Sequence, residues 1–325
     1  MDTCRRGYKM SRLAPCFLRD GSSGIALILV IWILVILIAI VGAFSYSMRS
    51  EIQITTNFKE EEEAYQLALA GIESAKLEIL SAKESSYVYV NEEGMLIFGE
   101  AEAEENEAPL REAELDTGNF TYTMTDEDGK LNINTASLAQ IKYIVESSGV
   151  DITDVDTIAD SIADWRDPND LHMLNGAEED YYRSLPRPYS CKDGPFDAIS
   201  ELLLVKGVTP EIYSGGPDEK DGEESYKGLV NYLTPWSSKT VNINTAPVEV
   251  LEAVFGIDAA QNIIAQRESG PILSAVTGGS IMSSYFTVIS TGSSRDGTIT
   301  RTIKAAIKKS GEKYEVIYWN DNFIG

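Results

Sequence analysis

The chain has 325 residues, with 27 Lys and Arg against 51 Asp and Glu and a formal net charge of −24. That length leaves room for two or three units, and so acidic a surface repels phosphate backbones and argues against nucleic-acid partners. His172 is the only histidine, which excludes a multi-histidine zinc site; no catalytic constellation and no phosphate-cradling glycine loop stands out.

Residues 1–23 form a short basic leader, with Arg5, Arg6, Lys9, Arg12 and Arg19 against Asp2 and Asp20, and Met10 offers an alternative start. No charge occurs between Asp20 and Arg49. The apolar run 25–44 predicts a helix about 30 Å long, enough to cross a bilayer core. Helix is the only single-span conformation that satisfies its own backbone in hydrocarbon. Basic residues favour the cytoplasmic side, so the large C-terminal part is expected outside it. The leader ends Asp20-Gly21-Ser22-Ser23-Gly24 and the apolar run starts directly at Ile25. A cut before the apolar segment, between Gly24 and Ile25, would leave a mature chain that keeps its anchor. Cys4 and Cys16 leave with such a leader, and Cys191 then has no intramolecular disulfide partner. The mature part would carry 22 basic and 49 acidic residues.

Helical character continues to about residue 82. Tyr65, Ala68, Leu69, Ile72, Ala75 and Ile79 fall on one face at three-to-four spacing, and the continuous helix 25–82 would be roughly 85 Å long. The run 60–63 reads as a solvated acidic face. Two short strand patterns, 87–90 and 95–98, flank Asn91-Glu92-Glu93-Gly94 and predict a hairpin. Residues 99–116 lack periodicity and read as an acidic loop. A strand over 120–124 is closed by Asp126-Glu127-Asp128-Gly129.

An internal repeat follows. Leu131-Asn132-Ile133-Asn134-Thr135-Ala136 recurs 110 residues later as Val241-Asn242-Ile243-Asn244-Thr245-Ala246. The Asn-Thr pair in each copy is expected to cap a following helix, with Pro247 in the first turn. The second copy continues as helix, glycine-containing hairpin and helix around Gly256 and Asp258, a helix-hairpin-helix pattern related to SAM-like domains. Its familiar use is on DNA backbones; Asp258 at the hairpin and the acidic charge favour a structural use here. Residues 214–224 read as an acidic surface excursion, and strands over 285–290, 297–306 and 314–318 form an antiparallel meander.

The expected fold is α+β. It comprises a leader (1–24), a transmembrane helix (25–45), a spine helix (46–83) and a pilin-like antiparallel head (84–130 and 271–325). An inserted α-helical domain with helix-hairpin-helix repeats (131–270) interrupts that head. Within the insertion, Asp167, Asn169, Asp170, Glu178, Glu179 and Asp180 cluster around Asn175-Gly176. Calcium takes six to eight oxygen ligands from such residues; the twelve-residue EF-hand spacing is absent, and composition alone describes a solvated acidic loop.

The short leader ending in glycine, followed by a long apolar helix, resembles the type IV pilin and type II secretion pseudopilin class. Several further features resemble the GspK minor pseudopilins within it. They are Leu29 at the fifth mature position, Asp164-Trp165-Arg166-Asp167, Asn175-Gly176-Ala177-Glu178 before Tyr181-Tyr182, and Glu201-Leu202-Leu203 before Gly207-Val208-Thr209. The resemblance runs from Gly24 to about Leu251. It implies a non-enzymatic tip subunit of the pseudopilus, cut after Gly24 and methylated at Ile25 by a prepilin peptidase, and anchored once in the inner membrane with its bulk in the periplasm. It implies the minor pseudopilins GspI and GspJ as partners, no nucleic acid, and a bound calcium ion in the insertion. Leu29 replaces the Glu that the class uses to meet a neighbour's amine, so another subunit is not expected above this one. Association through the spine would use residues such as Leu69 and Ile72, unless that face packs on the head's own sheet. The alternatives are a membrane-anchored DNA-uptake protein and a minor pilin of a type IV pilus.

Overall fold

The computed structural model describes residues 22–83, 86–100, 109–217 and 225–323. The chain divides into two compact units, Met1–Lys59 and Glu60–Gly325. One helix, α1 (Ser22–Ser81), runs through 60 residues of both. In the first unit its side chains from Ile25 to Lys59 are all exposed. The stretch is long and apolar enough to cross a membrane. Its part from Ile25 to Met48, without charge and without a buried face, matches a lipid-facing span, where every backbone group is bonded within the helix.

In the second unit α1 lies on an antiparallel sheet. The hairpin β1 (Tyr87–Val90) and β2 (Leu96–Gly99) forms as the strand alternation predicts, with Val88 opposite Phe98 and Val90 opposite Leu96. The main sheet contains β3 (Glu112–Leu115), β4 (Gly118–Asp126), β5 (Tyr285–Ser294), β6 (Thr300–Ser310) and β7 (Lys313–Asn320), in the order β7-β6-β5-β4-β3. β4 and β5 are neighbours although 158 residues separate Asp126 from Tyr285, with Val288 opposite Met124 and Ser290 opposite Tyr122. The helical block therefore departs from one strand of the sheet and returns to the next.

Strict alternation along β4 places Phe120, Tyr122 and Met124 on one buried face, shared with Phe286, Val288, Ile303, Ala305 and Ile307. Onto it α1 sets Leu67, Ala68, Ile72, Ala75 and Ile79. The helix approaches the sheet at two glycines. A Cβ on Gly292 would lie 2.1 Å from the Ala64 carbonyl, and one on Gly71 would lie 2.1 Å from Ser290 Oγ. The expected partner face at Ile72 is thus core, because the strand beneath it is the head's own; Leu69 is half-buried against the same core. The expected loop 99–116 also needs correction: residues 101–108 lie outside the described residues, but Glu112–Leu115 form the edge strand β3. Arg111 explains why. Its guanidinium pairs with Glu78 of α1 at 2.7 Å and donates to the Leu96 carbonyl at 2.5 Å, while Tyr122 donates to the same Glu78 at 2.9 Å.

The helical block repeats one unit. α2 (Leu138–Ser147) and α3 (Ile152–Arg166) form the first helical hairpin, and α6 (Val248–Phe255) and α7 (Ile257–Arg267) the second. The short helices α4 (Glu179–Ser184) and α5 (Pro210–Ser214) lie between them. Glu201-Leu202-Leu203 lies in a 3₁₀ helix, Ile199–Leu204. The repeated Asn-Thr pair does not cap the helices. Ser137 caps α2 in a reciprocal box with Gln140, and Pro247 precedes α6 without a side-chain cap. Instead the repeated asparagines tie the chain back on itself. Asn132 and Asn242 each accept from the amide two residues on, at 2.9 Å. Asn134 clasps the backbone of Phe196 from both sides, and Asn244 does the same to Ile272. The last residue of the second helix completes each copy: Arg166 donates to the carbonyls of Ile133 and Ala136, and Arg267 to those of Ile243 and Ala246. Beyond the two-residue parallel pairings of Leu131–Asn132 with Leu233–Thr234 and of Val241–Asn242 with Gly279–Ser280, a half-buried guanidinium and a carboxamide thus satisfy the carbonyls and amides of each loop.

The junction of sheet and helical block is an acidic knot. Asp126, at the end of β4, accepts from Asn242 Nδ2, Thr245 Oγ1 and Ser283 Oγ at 2.8, 2.6 and 2.6 Å, and from the Asp128 amide. Asp128 accepts from the amides of Ser238, Ser284 and Tyr285. The acidic run 214–224 falls largely outside the described residues; beside it Gly216–Pro217 pairs with Ser225–Tyr226.

Candidate cation site

A cluster of carboxylates closes the far end of α3. Asp160 and Asp164 sit one helical turn apart on the buried face of α3, and Asp167 follows as its C-cap. Glu178 precedes α4 without capping it. The aromatic stack of Trp165, Tyr182 and Tyr189 fixes α3 against α4. Lys206 holds the intervening loop, donating to the carbonyls of Asn175 and Gly176 while lying over the Tyr181 ring.

This scaffold brings one oxygen each of Asp164, Asp167 and Glu178 within 4.8 Å of one another. Asp164 is fully buried and accepts from the Met173 amide. Glu178 is 2% exposed, and neither of its carboxylate oxygens has a hydrogen-bond partner. Burial, opposed by the nearby Cys191 thiol and reinforced by the charges of Asp164, Asp193 and Asp167, pushes the Glu178 carboxyl up to about 7. Burial likewise raises Asp164, against the hydrogen bonds it accepts from the Met173 and Ala177 backbone. Gly176 is required at its place, because a Cβ there would lie 1.8 Å from Asp164 Oδ2. A buried Glu178 carboxylate without a hydrogen-bond donor, crowded by Asp164 and the half-buried Asp167, fits a hard cation, since oxygen donors of this kind hold calcium and a buried unpaired charge is costly.

Two of the six expected ligands, Asp167 and Glu178, are in this cluster; four are not. Asn169 and Asp170 are exposed, with Asn169 turned back onto Asp167 Oδ1. Glu179 is taken by Arg183 at 2.6 Å and by the Cys191 amide at 2.8 Å. Asp180 is exposed and accepts from the Tyr181 amide. Asp164 was missed, although the spacing 160, 164, 167 marks one face of a helix. Cys191 and Asp193, which meet Glu178 in a second group within 4.8 Å, carry no local signal at all. Burial is the main cause that pushes the Cys191 thiol up to about 12. At the other end of the chain, Gly24 lies in the first turns of α1, and Ile25 and Leu29 are 70% and 56% exposed.

Residues 119–215 match a sequence profile described as type II secretion system (T2SS), protein K, and residues 241–282 match a second profile of the same description. Both profiles and the curated relatives relate the chain to the type II secretion system protein K family. Type II secretion system protein K of Pseudomonas aeruginosa is 25% identical over 268 residues, covering 77% of this chain and 74% of that protein. The protein K of Aeromonas hydrophila is 24% identical over 281 residues, covering 78% and 77%. Among solved structures, a chain of the GspK-GspI-GspJ complex from enterotoxigenic Escherichia coli superimposes with a TM-score of 0.58 at 20% identity. The match covers 86% of this chain and all of that one. The α+β architecture is therefore that of a protein K relative, with the cluster of Asp164, Asp167 and Glu178 inside the first matched region.

Proposed function

We propose that this chain is the minor pseudopilin at the tip of a type II secretion pseudopilus, a structural subunit that helps to start fibre assembly. The observation that carries this is Leu29, in an unbroken apolar helix of a chain related to the protein K family. A buried Glu there would pair with a neighbour's charged amine; Leu29 has no carboxylate to offer, so the subunit ends a stack. The name of the solved complex points to GspI and GspJ as partners. The apolar helix would span the inner membrane once, with the head in the periplasm. A prepilin peptidase would cut between Gly24 and Ile25 and methylate Ile25. The protein extracted from membranes should begin at Ile25 on N-terminal sequencing, and Gly24→Arg should leave the longer form. A mature terminus beyond Phe44 would mean an ordinary signal peptide and would sink this reading. The rival DNA-binding reading draws on the two helical hairpins. Asp258 puts a negative charge in the first turn of α7, at the bend of the second of them, and retention of a DNA fragment at moderate salt would be needed to revive it.

Calcium is the cation that fits the oxygen cluster. Asp164, Asp167 and Glu178 would hold it, and it would supply the positive charge that three converging carboxylates lack. An ion that binds only the folded state adds about 2.7 kcal/mol at a hundredfold excess over Kd. The detergent-solubilised chain should therefore melt several degrees higher in millimolar calcium than in chelator. Asp164→Asn should abolish most of that difference, and equal melting temperatures for the unaltered chain would refute calcium at this place.

A further inference from the structure

We propose that the free edge of β3 is a docking site for an extended segment of another polypeptide, one that alternates basic and apolar residues and joins the sheet as an antiparallel strand. β3 ends the five-stranded sheet, and among the described residues nothing pairs with its outer side. Such an edge presents a row of unpaired amides and carbonyls, the template for strand addition.

The ladder shows which groups are free. The Tyr122 amide donates to the Arg111 carbonyl at 2.9 Å. Glu112 opposite Thr121 is then a non-hydrogen-bonded pair, and Ala113 opposite Phe120 a hydrogen-bonded one. The amides and carbonyls of Glu112 and Glu114 therefore point away from β4, along the open edge. Their side chains stand on the face of Thr121 and Asn119, where all four are exposed. Ala113 and Leu115 project to the other face, and Leu115 is 52% exposed there. An open groove of about 900 Å³ follows this edge, with Leu110, Glu112, Glu114, Leu115, Asp116 and Arg295 in its wall.

Charge and alternation specify the occupant. Three carboxylates, Glu112, Glu114 and Asp116, face one guanidinium in the groove, while that of Arg111 is engaged with Glu78. In an antiparallel pairing the residues opposite Glu112 and Glu114 lie on the same face as their carboxylates, where opposite charges attract and like charges repel. Lys or Arg therefore fits those two places, and a second copy of β3 does not. The residue between them falls on the side of Ala113 and Leu115 and is apolar. The opposite edge, β7, has no such signature, because Lys313 and Glu315 stand on one face with opposite signs.

The test is a fluorescent heptapeptide of alternating Lys and Val, titrated by anisotropy with the full chain in detergent, at physiological salt and with calcium present. It should bind saturably, with its Lys amides turned toward β3 and its Val amides turned away. N-methylation of the Lys amides should weaken it by about tenfold or more, since two edge hydrogen bonds are lost, whereas N-methylation of the Val amides should change nothing. Glu112→Lys combined with Glu114→Lys should lose this peptide and bind one of alternating Glu and Val. The Glu114 amide makes no bond to β4, so Glu114→Pro spares the ladder; it should keep the melting temperature and weaken the Lys–Val peptide by about tenfold. No saturable binding, or equal binding of the two methylated peptides, overturns the proposal, the second outcome meaning charge attraction alone. Those two peptides are read on the unaltered chain, so they decide the matter even if a variant does not fold.

Discussion

Ile72→Ala should destabilise the sheet-bearing unit by about 2–5 kcal/mol, the usual cost of emptying a closed core site, and Ile72→Asp should unfold it by burying an unpaired charge. Ile72 is completely buried between α1 and the sheet, and the adjoining glycine contacts leave the helix no room to settle into a cavity. Leu77 offers the contrast one turn later. It is 69% exposed on the opposite side of the same helix, so Leu77→Asp should shift stability by no more than about 0.5 kcal/mol. If α1 joins a pseudopilus, that second substitution is the one that should weaken assembly. Urea unfolding of both variants beside co-purification from membranes separates the two effects. An unchanged urea midpoint for Ile72→Ala would mean that the helix is not packed on the sheet.

The elements legible in the sequence were those written in local pattern. The uncharged run after Gly24, the alternation around Tyr87 and along β4, the final meander and the repeated Asn-Ile-Asn-Thr-Ala all depend on residues close in the chain. What was illegible depends on distant partners. Asp126 and Asp128 read as a turn because their donors, Asn242, Ser283 and Ser284, lie more than 110 residues away. The strand at Glu112 forms because Arg111 reaches Glu78, 33 residues back. In the cation site, Asp167 and Glu178 stood out by composition, but so did Asp170 and Asp180, which stay in solvent. Acidity marked the neighbourhood; burial, of Asp164 on α3 and of Glu178 before α4, singles out the carboxylates that converge.

Asp126→Ala should cost several kcal/mol. Its carboxylate is the common acceptor for Asn242, Thr245 and Ser283, and a buried donor left without its partner costs about 1–3 kcal/mol. The more telling variant is Asp126→Asn, which keeps the shape and removes the charge. Burial, with the charge of Asp128 adding to it, raises the Asp126 carboxyl to about 7, against the hydrogen bonds from Ser283, Thr245 and Asn242 that favour the ionised form. The unfolded carboxyl titrates near 4. Between about pH 4 and 7 the folded chain then holds a proton that the unfolded chain has lost. Stability contributed by this group therefore falls as pH rises through that window, and above it the loss is complete. Asp128, also raised by burial, is the charged neighbour whose ionisation deepens the trend. Asp126→Asn removes the Asp126 contribution together with its charge coupling to Asp128. The difference between unaltered and Asn chains, read as urea midpoints in chelator, should move against the unaltered chain from pH 5 to pH 8. A difference that stays constant would mean that Asp126 remains ionised throughout, its charge carried by the donors that surround it.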